Sequence, residues 1–170
     1  MSLVLLGWVF PGLMIFAAIS DVMARKIANW IPLTMLAGFG VLAFATGMAW
    51  SDVGLALLMG VAAFFAGFAL FAMGQMGGGD VKLIAASLPW YGASMLAIDY
   101  LIAFSLFGAV VTIVFIIRRW APVQMMLVSN RYSAPLAVTP TQTREVPYGL
   151  AIALGALAVH PFLLEHHGLI

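Results

Sequence analysis

Among the side chains able to do chemistry, Asp21 and Asp80 stand out. The 170 residues include six Asp or Glu, seven Lys or Arg, three His and no Cys. Cysteine nucleophiles, thiolate metal sites and disulfides are therefore excluded. Proton transfer is the chemistry open to two carboxylates, provided that the fold brings them together. Asp21 opens the string Asp21-Val22-Met23-Ala24-Arg25-Lys26-Ile27-Ala28-Asn29. On a continuous helix, Arg25 and Asn29 would extend a polar stripe from Asp21 along one face. The same spacing also fits an ordinary exposed ion pair, worth roughly a few tenths of a kcal/mol. Asp80 closes Gly77-Gly78-Gly79-Asp80. Glycines at this density, Gly77 and Gly79 included, let backbone or an extended substrate approach without obstruction by Cβ atoms. Asp80 directly before an apolar helix would equally serve as its N-cap. The two roles are compatible. Lys82 is expected to reach for the membrane surface or a peptide, because positions two apart on a helix do not face one another. A phosphate-binding loop is excluded, since it needs a Gly-Lys-Ser/Thr ending between strand and helix.

The elements that must position these residues are membrane helices. Hydrophobic residues make up 65% of the chain and charged residues 8%, against about 25% charged in a soluble domain. Six runs lack any Asp, Glu, Lys or Arg: Leu3 to Ile19, Ile31 to Trp50, Val53 to Met73, Leu83 to Ile98, Tyr100 to Ile117 and Val146 to Leu164. A span needs about 20 residues, so the pattern predicts an all-α membrane protein of about six transmembrane helices. The fourth run carries Pro89-Trp90-Tyr91-Gly92 and is expected to be short or broken. Arg25 and Lys26 follow the first run instead of preceding it, the reverse of a cleaved signal peptide, so a retained helix is expected. Placing these two residues in the cytoplasm puts Lys82, Arg118, Arg119, Arg131 and Arg144 there too, leaving both termini outside. Asp21 and Asp80 then share the cytoplasmic boundary.

The chain reads as one integral-membrane domain, 1–170, with an irregular cytoplasmic loop at about 118–145 that contains Pro122, Pro135 and Pro140. A short interfacial helix fits its apolar run at 123–128. A formal charge of +1 offers no basic surface for nucleic acid. His160, His166, His167 and Glu165 have no rigid metal-ligand spacing and are expected in a solvated tail, so neither metal nor cofactor is expected. Ala63 with Gly67, and Ala151 with Gly155, have the small-residue spacing that lets membrane helices pack closely.

Three local patterns together resemble the prepilin peptidases, membrane aspartic proteases of the A24 type with a Gly-x-Gly-Asp motif. They are Asp21, Arg25, Ile27 and Asn29 after the first run; Gly77-Gly78-Gly79-Asp80-Val81-Lys82; and Val146-Pro147-Tyr148-Gly149 at the start of the last run. The resemblance implies that Asp21 and Asp80 are catalytic, with Arg25, Asn29, Gly77, Gly79 and Lys82 in support. It implies substrates that are prepilins, whose short basic leader is cut at the cytoplasmic membrane face before an apolar helix. The paired Cys-x-x-Cys region of the long, methylating members is lacking, so the chain is similar to the short, peptidase-only type associated with Flp/Tad pili. N-methyltransferase activity is not expected. The implied location is the bacterial inner membrane, with prepilin and the lipid bilayer as partners; no oligomeric state is implied.

An aspartic protease needs one carboxylate ionised to deprotonate water and one neutral to polarise the scissile carbonyl. Repulsion and desolvation are expected to separate the apparent pKa values of such a dyad, with Asp80 starting as base and Asp21 as acid. Archaeal preflagellin peptidases are a close alternative. A small transporter would hold its acids nearer the midplane, and a non-enzymatic membrane subunit would need neither.

Overall fold

The computed structural model describes residues 2–128 and 148–167, and they form six helices. These are α1 Ser2–Ala24, α2 Trp30–Thr46, α3 Trp50–Ala72, α4 Gly78–Tyr91, α5 Met95–Val128 and α6 Tyr148–His166. Two glycines in the left-handed region set helix ends. Past α2, Gly47 has φ 66°, its N–H donates to Phe44 O and the N–H of Met48 donates to Ala43 O. Past α3, Gly74 has φ 71°, with N–H bonds from Gly74 to Phe71 O and from Gln75 to Leu70 O. This paired closure satisfies the last helical carbonyls, and glycine adopts it without a Cβ penalty.

Four helices contain stretches long and apolar enough to cross a membrane: Gly7–Ala24, Trp50–Ala72, Met95–Ile117 and Tyr148–His166. The apolar α2, at 17 residues, is shorter. At 14 residues α4 is the shortest, about 21 Å at 1.5 Å per residue, against a hydrocarbon core of about 30 Å. Pro89 lies in its last turn, Gly92 follows it, and α5 opens at Met95. The fourth apolar run is thus divided between two helices.

What α4 lacks in length it has in burial. Val81, Leu83, Ile84 and the whole stretch from Ala86 to Tyr91 are buried, packed against α2, α3 and α6, with a lighter contact to α5. Around this axis α1 packs on α2 and α6, and α5 on α6. By contrast α3 buries only Ala56, Gly60 and Gly67, while Leu58, Phe65 and Phe68 stay exposed. Apolar exposure on that scale is incompatible with a water-facing surface and fits contact with lipid. Small residues set the close approaches. A Cβ on Gly67 would lie 2.9 Å from Val81 on α4, and one on Gly155 2.5 Å from the Phe104 backbone on α5, so both small-residue pairs sit at helix contacts.

Polar groups in this core are paired. Trp90 Nε1 donates to Met35 O at 3.1 Å, the Tyr91 hydroxyl to Ala156 O at 3.2 Å, and Ser87 and Tyr100 share a hydroxyl bond of 2.8 Å. Among the described residues no buried side-chain nitrogen or oxygen lacks a partner. Each unmatched one would cost about 1–3 kcal/mol.

Several expectations need correction. Helix α1 runs past Asp21 to Ala24 and stops there, so the stripe from Asp21 through Arg25 to Asn29 is not helical. The segment from Arg118 is helical to Val128 as a continuation of α5; residues 129–147, with Arg131, Arg144, Pro135 and Pro140, lie outside the described residues. The histidine tail is not free. His160 is buried within α6 and its Nε2 lies 3.1 Å from Gly7 O, while His167 Nε2 lies 2.8 Å from Trp90 O. A carbonyl only accepts, so both Nε2 atoms carry hydrogen.

Candidate active site

The ends of α1, α3, α4 and α6, with the α1–α2 and α3–α4 connections, border the cavity that Asp21 and Asp80 line. Asp21 lies in the last turn of α1, where the N–H of Arg25 donates to its carbonyl at 2.9 Å. Arg25 then takes φ 53°, the positive value that ends the helix. For a residue with a Cβ this conformation costs about 1–2 kcal/mol. Two contacts hold the turn. The Arg25 guanidinium stacks 5.8 Å from the centroid of the Phe115 ring on α5, and the Ser20 hydroxyl donates to Lys26 O at 2.7 Å.

The chain from Lys26 to Asn29 is therefore free of helical constraint and crosses to the glycine loop. A Cβ on Gly79 would stand 3.1 Å from Ile27 Cβ, so Gly79 is where the two segments touch. Two residues past Ile27, Asn29 Oδ1 accepts from Lys82 Nζ at 2.9 Å. Lys82 thus turns to a neighbouring segment of its own chain, where sequence alone pointed to the membrane surface or a peptide.

Asp80 is the third residue of α4, one turn inside the helix; the N-cap is Gly77, with no side-chain capping bond. This corrects the expectation that Asp80 precedes the helix. A carboxylate in a first turn is favoured by the partial positive charge of the helix N-terminus. Asp80 folds back over the loop, so that a Cβ on Gly77 would lie 2.9 Å from Asp80 Oδ2. Gly77 has φ −72° and ψ 140°, a conformation open to any residue. Glycine is required there for space.

The second aspartate is held from the opposite direction. The Gly149 N–H, in the first turn of α6, donates to Asp21 Oδ2 at 2.9 Å in a buried contact. Early helix amides have no intrahelical acceptor, and a charged oxygen binds such a donor about twice as strongly as a neutral one. Gly149 itself is packed so closely that a Cβ would lie 2.8 Å from Asp21 Oδ2 and 2.9 Å from Asp21 Cβ. Sequence reasoning named Gly149 only inside a motif and gave it no role. Its signal was a glycine at the start of an apolar run, which by itself does not identify a partner 128 residues away.

Asp21 and Asp80 are each only 8% exposed, and both line one cavity of about 1000 Å³. Arg25, Asn29, Gly77, Gly79 and Lys82 border the same cavity, so all seven residues singled out from sequence are brought together. Tyr148 and Phe71 also border it. Two carboxylates at the edge of one cavity of this size, one of them held by a main-chain amide, are groups able to accept and donate protons.

The family model described as the type IV leader peptidase family matches residues 8–117. That stretch includes Asp21, the glycine loop and Asp80, and ends before Gly149. No curated protein and no solved structure gives a significant match. With the match covering well over half of the chain, and several helices apolar enough to span a bilayer, this multi-pass membrane protein belongs to the type IV leader peptidase family.

Proposed function

We propose that this protein is a prepilin leader peptidase, an aspartic endopeptidase whose catalytic dyad is Asp21 and Asp80. The observation that carries the reading is that two buried carboxylates, from α1 and α4, line one cavity. In the proposed reaction a water molecule lies between them. The ionised carboxylate, assigned to Asp80, takes a proton from water as its oxygen attacks the scissile carbonyl carbon. The protonated carboxyl, assigned to Asp21, donates to the carbonyl oxygen. As the tetrahedral intermediate collapses, the C–N bond breaks, the proton held by Asp80 goes to the leaving amine, and Asp21 takes back a proton from a hydroxyl of the intermediate. The Gly149 amide orients the Asp21 carboxyl group through its Oδ2. Arg25, Asn29, Lys82 and the loop glycines position the two acid-bearing segments.

The substrate class is a prepilin of the Flp/Tad type, with a short basic leader preceding an apolar helix. The dyad faces the cytoplasm of a bacterial inner membrane. Arg25, Lys26 and Lys82 lie at the dyad end of the helices, and the positive-inside bias places that end in the cytoplasm. Six alternating passes then leave both termini on the outer side, with α2 and α4 as the short ones. Peptidase activity without methylation is the expected repertoire.

Co-expression with a Flp-type prepilin tests the reading. Wild type should remove the leader, and Asp21→Asn and Asp80→Asn should each reduce removal at least about 100-fold, the scale of one acid–base group. Full processing by either variant, with normal abundance in the membrane, refutes the dyad.

A further inference from the structure

Two consecutive helices of this protein stand apart. The turn from Gly47 to Ala49 joins α2 to α3, yet both pack on α4 and are not a closely packed pair themselves. The gap between them is a groove of about 740 Å³. Leu33 and Leu36 of α2 form one wall, Leu57, Val61 and Phe65 of α3 the other, and Ala86 of α4 contributes to the floor. All five wall side chains are exposed despite their apolar character.

Continuity with the dyad distinguishes this groove from the lipid-facing surface elsewhere. Asn29 and Lys82, joined by their 2.9 Å hydrogen bond, border both the groove and the cavity of Asp21 and Asp80. The floor runs along α4 from Lys82 to Pro89, about 10 Å at 1.5 Å per residue, or two helical turns. A helix laid there would present i, i+3, i+4 and i+7 side chains to the walls.

We infer that the α2–α3–α4 groove is the docking site for the substrate's apolar helix, seating the first two turns after the scissile peptide bond. The inference rests on the proposed peptidase function and adds to it the place where the substrate lies. The Asn29–Lys82 pair marks the threshold at which the substrate chain leaves the apolar groove for the dyad. The distance from groove to dyad then sets where cleavage falls relative to the start of the apolar segment.

Photocrosslinking in membranes tests this directly. p-Benzoylphenylalanine is placed at Val61 in the full-length Asp80→Asn enzyme, which retains uncut prepilin, and at Val110 on the exposed face of α5 as control. The expected result is an adduct from Val61 to the first two turns of the substrate's apolar segment, and none from Val110. Adducts to lipid alone, or equal substrate adducts from both positions, overturn the groove. In the active enzyme Val61→Trp should raise KM for prepilin roughly tenfold, with the loss falling on KM and not kcat. Val41→Trp, on the exposed face of α2 away from the groove, should cleave as wild type does. Cleavage by wild type with no Val61 adduct and an unchanged KM refutes the groove and leaves the dyad standing. If wild type cuts no prepilin, both readings fall.

Discussion

Replacing Gly149 with alanine adds one methyl group where α6 meets Asp21. That carbon would stand 2.8 Å from Asp21 Oδ2, 2.9 Å from Cβ and 3.0 Å from Cγ. Carbon contacts are optimal at about 3.5–4.0 Å, so the carboxylate and the helix must separate by roughly 0.5–1 Å. Overpacking of this kind costs about 1–3 kcal/mol in stability. The 2.9 Å bond from the Gly149 amide would stretch by a similar amount, releasing the carboxylate from its set orientation. Misplacing a reacting group by about 1 Å lowers turnover about 100-fold, which is close to 2.7 kcal/mol in activation free energy. Leader removal from purified prepilin, measured as kcat/KM beside a thermal melt of the same sample, separates the two effects. Gly155→Ala supplies the comparison. Its added carbon meets the Phe104 backbone at 2.5–2.6 Å, at the packing of α5 on α6, and should lower the melting temperature while folded molecules keep their kcat. A Gly149→Ala enzyme that folds and turns over at the wild-type rate refutes the role of this contact in orienting Asp21.

The glycine loop permits a graded test. An added Cβ at Gly77 lies 2.9 Å from Asp80 Oδ2, whereas at Gly78 it lies 3.3 Å from the Phe71 ring. Gly77→Ala should therefore lower kcat about tenfold or more, and Gly78→Ala much less; equal effects in a cleavage assay would contradict the steric argument. Lys82→Met and Asn29→Ala break the same 2.9 Å bond, so the double variant should process prepilin about as slowly as the slower single one. Fully additive rate losses would show that the two side chains act independently. His167 provides a pH signature far from the dyad. Burial holds its pKa below the usual histidine value, its bond to Trp90 O opposes that shift, and His166 nearby adds to it. The unfolded chain then binds the proton more readily. The contribution of His167 is thus complete above about pH 6.5 and is lost as pH falls through the lowered folded value. The melting temperature of wild type should drop on acidification through that window by more than that of His167→Gln. Parallel pH profiles would refute the assignment.

Properties carried by short windows of sequence were legible without the structure. Apolar runs located the helices because hydrocarbon solvation depends on composition and length alone. Asp21 and Asp80 stood out because few charged groups occur at all, and placing charge away from the apolar centre put them at one face. The division near Pro89 and Gly92 was legible for a local reason as well.

Contacts between distant segments were decided only by the fold. Nothing near Arg25 forecasts its φ of 53°, since a basic residue four positions after an acid fits a continuing helix equally well. That single backbone torsion diverts the chain so that Ile27 meets Gly79 and Asn29 meets Lys82. The central place of α4, the shortest of the described helices, follows from how α2, α3, α5 and α6 pack against it. The amide that holds Asp21 comes from Gly149, far along the chain, because glycine there lets α6 approach α1 until main chain touches carboxylate. Sequence alone determined that two acids share an end of a membrane bundle. Tertiary packing decided which groups hold them there, because close approach depends on the shape of both surfaces and each surface is written in a different part of the chain.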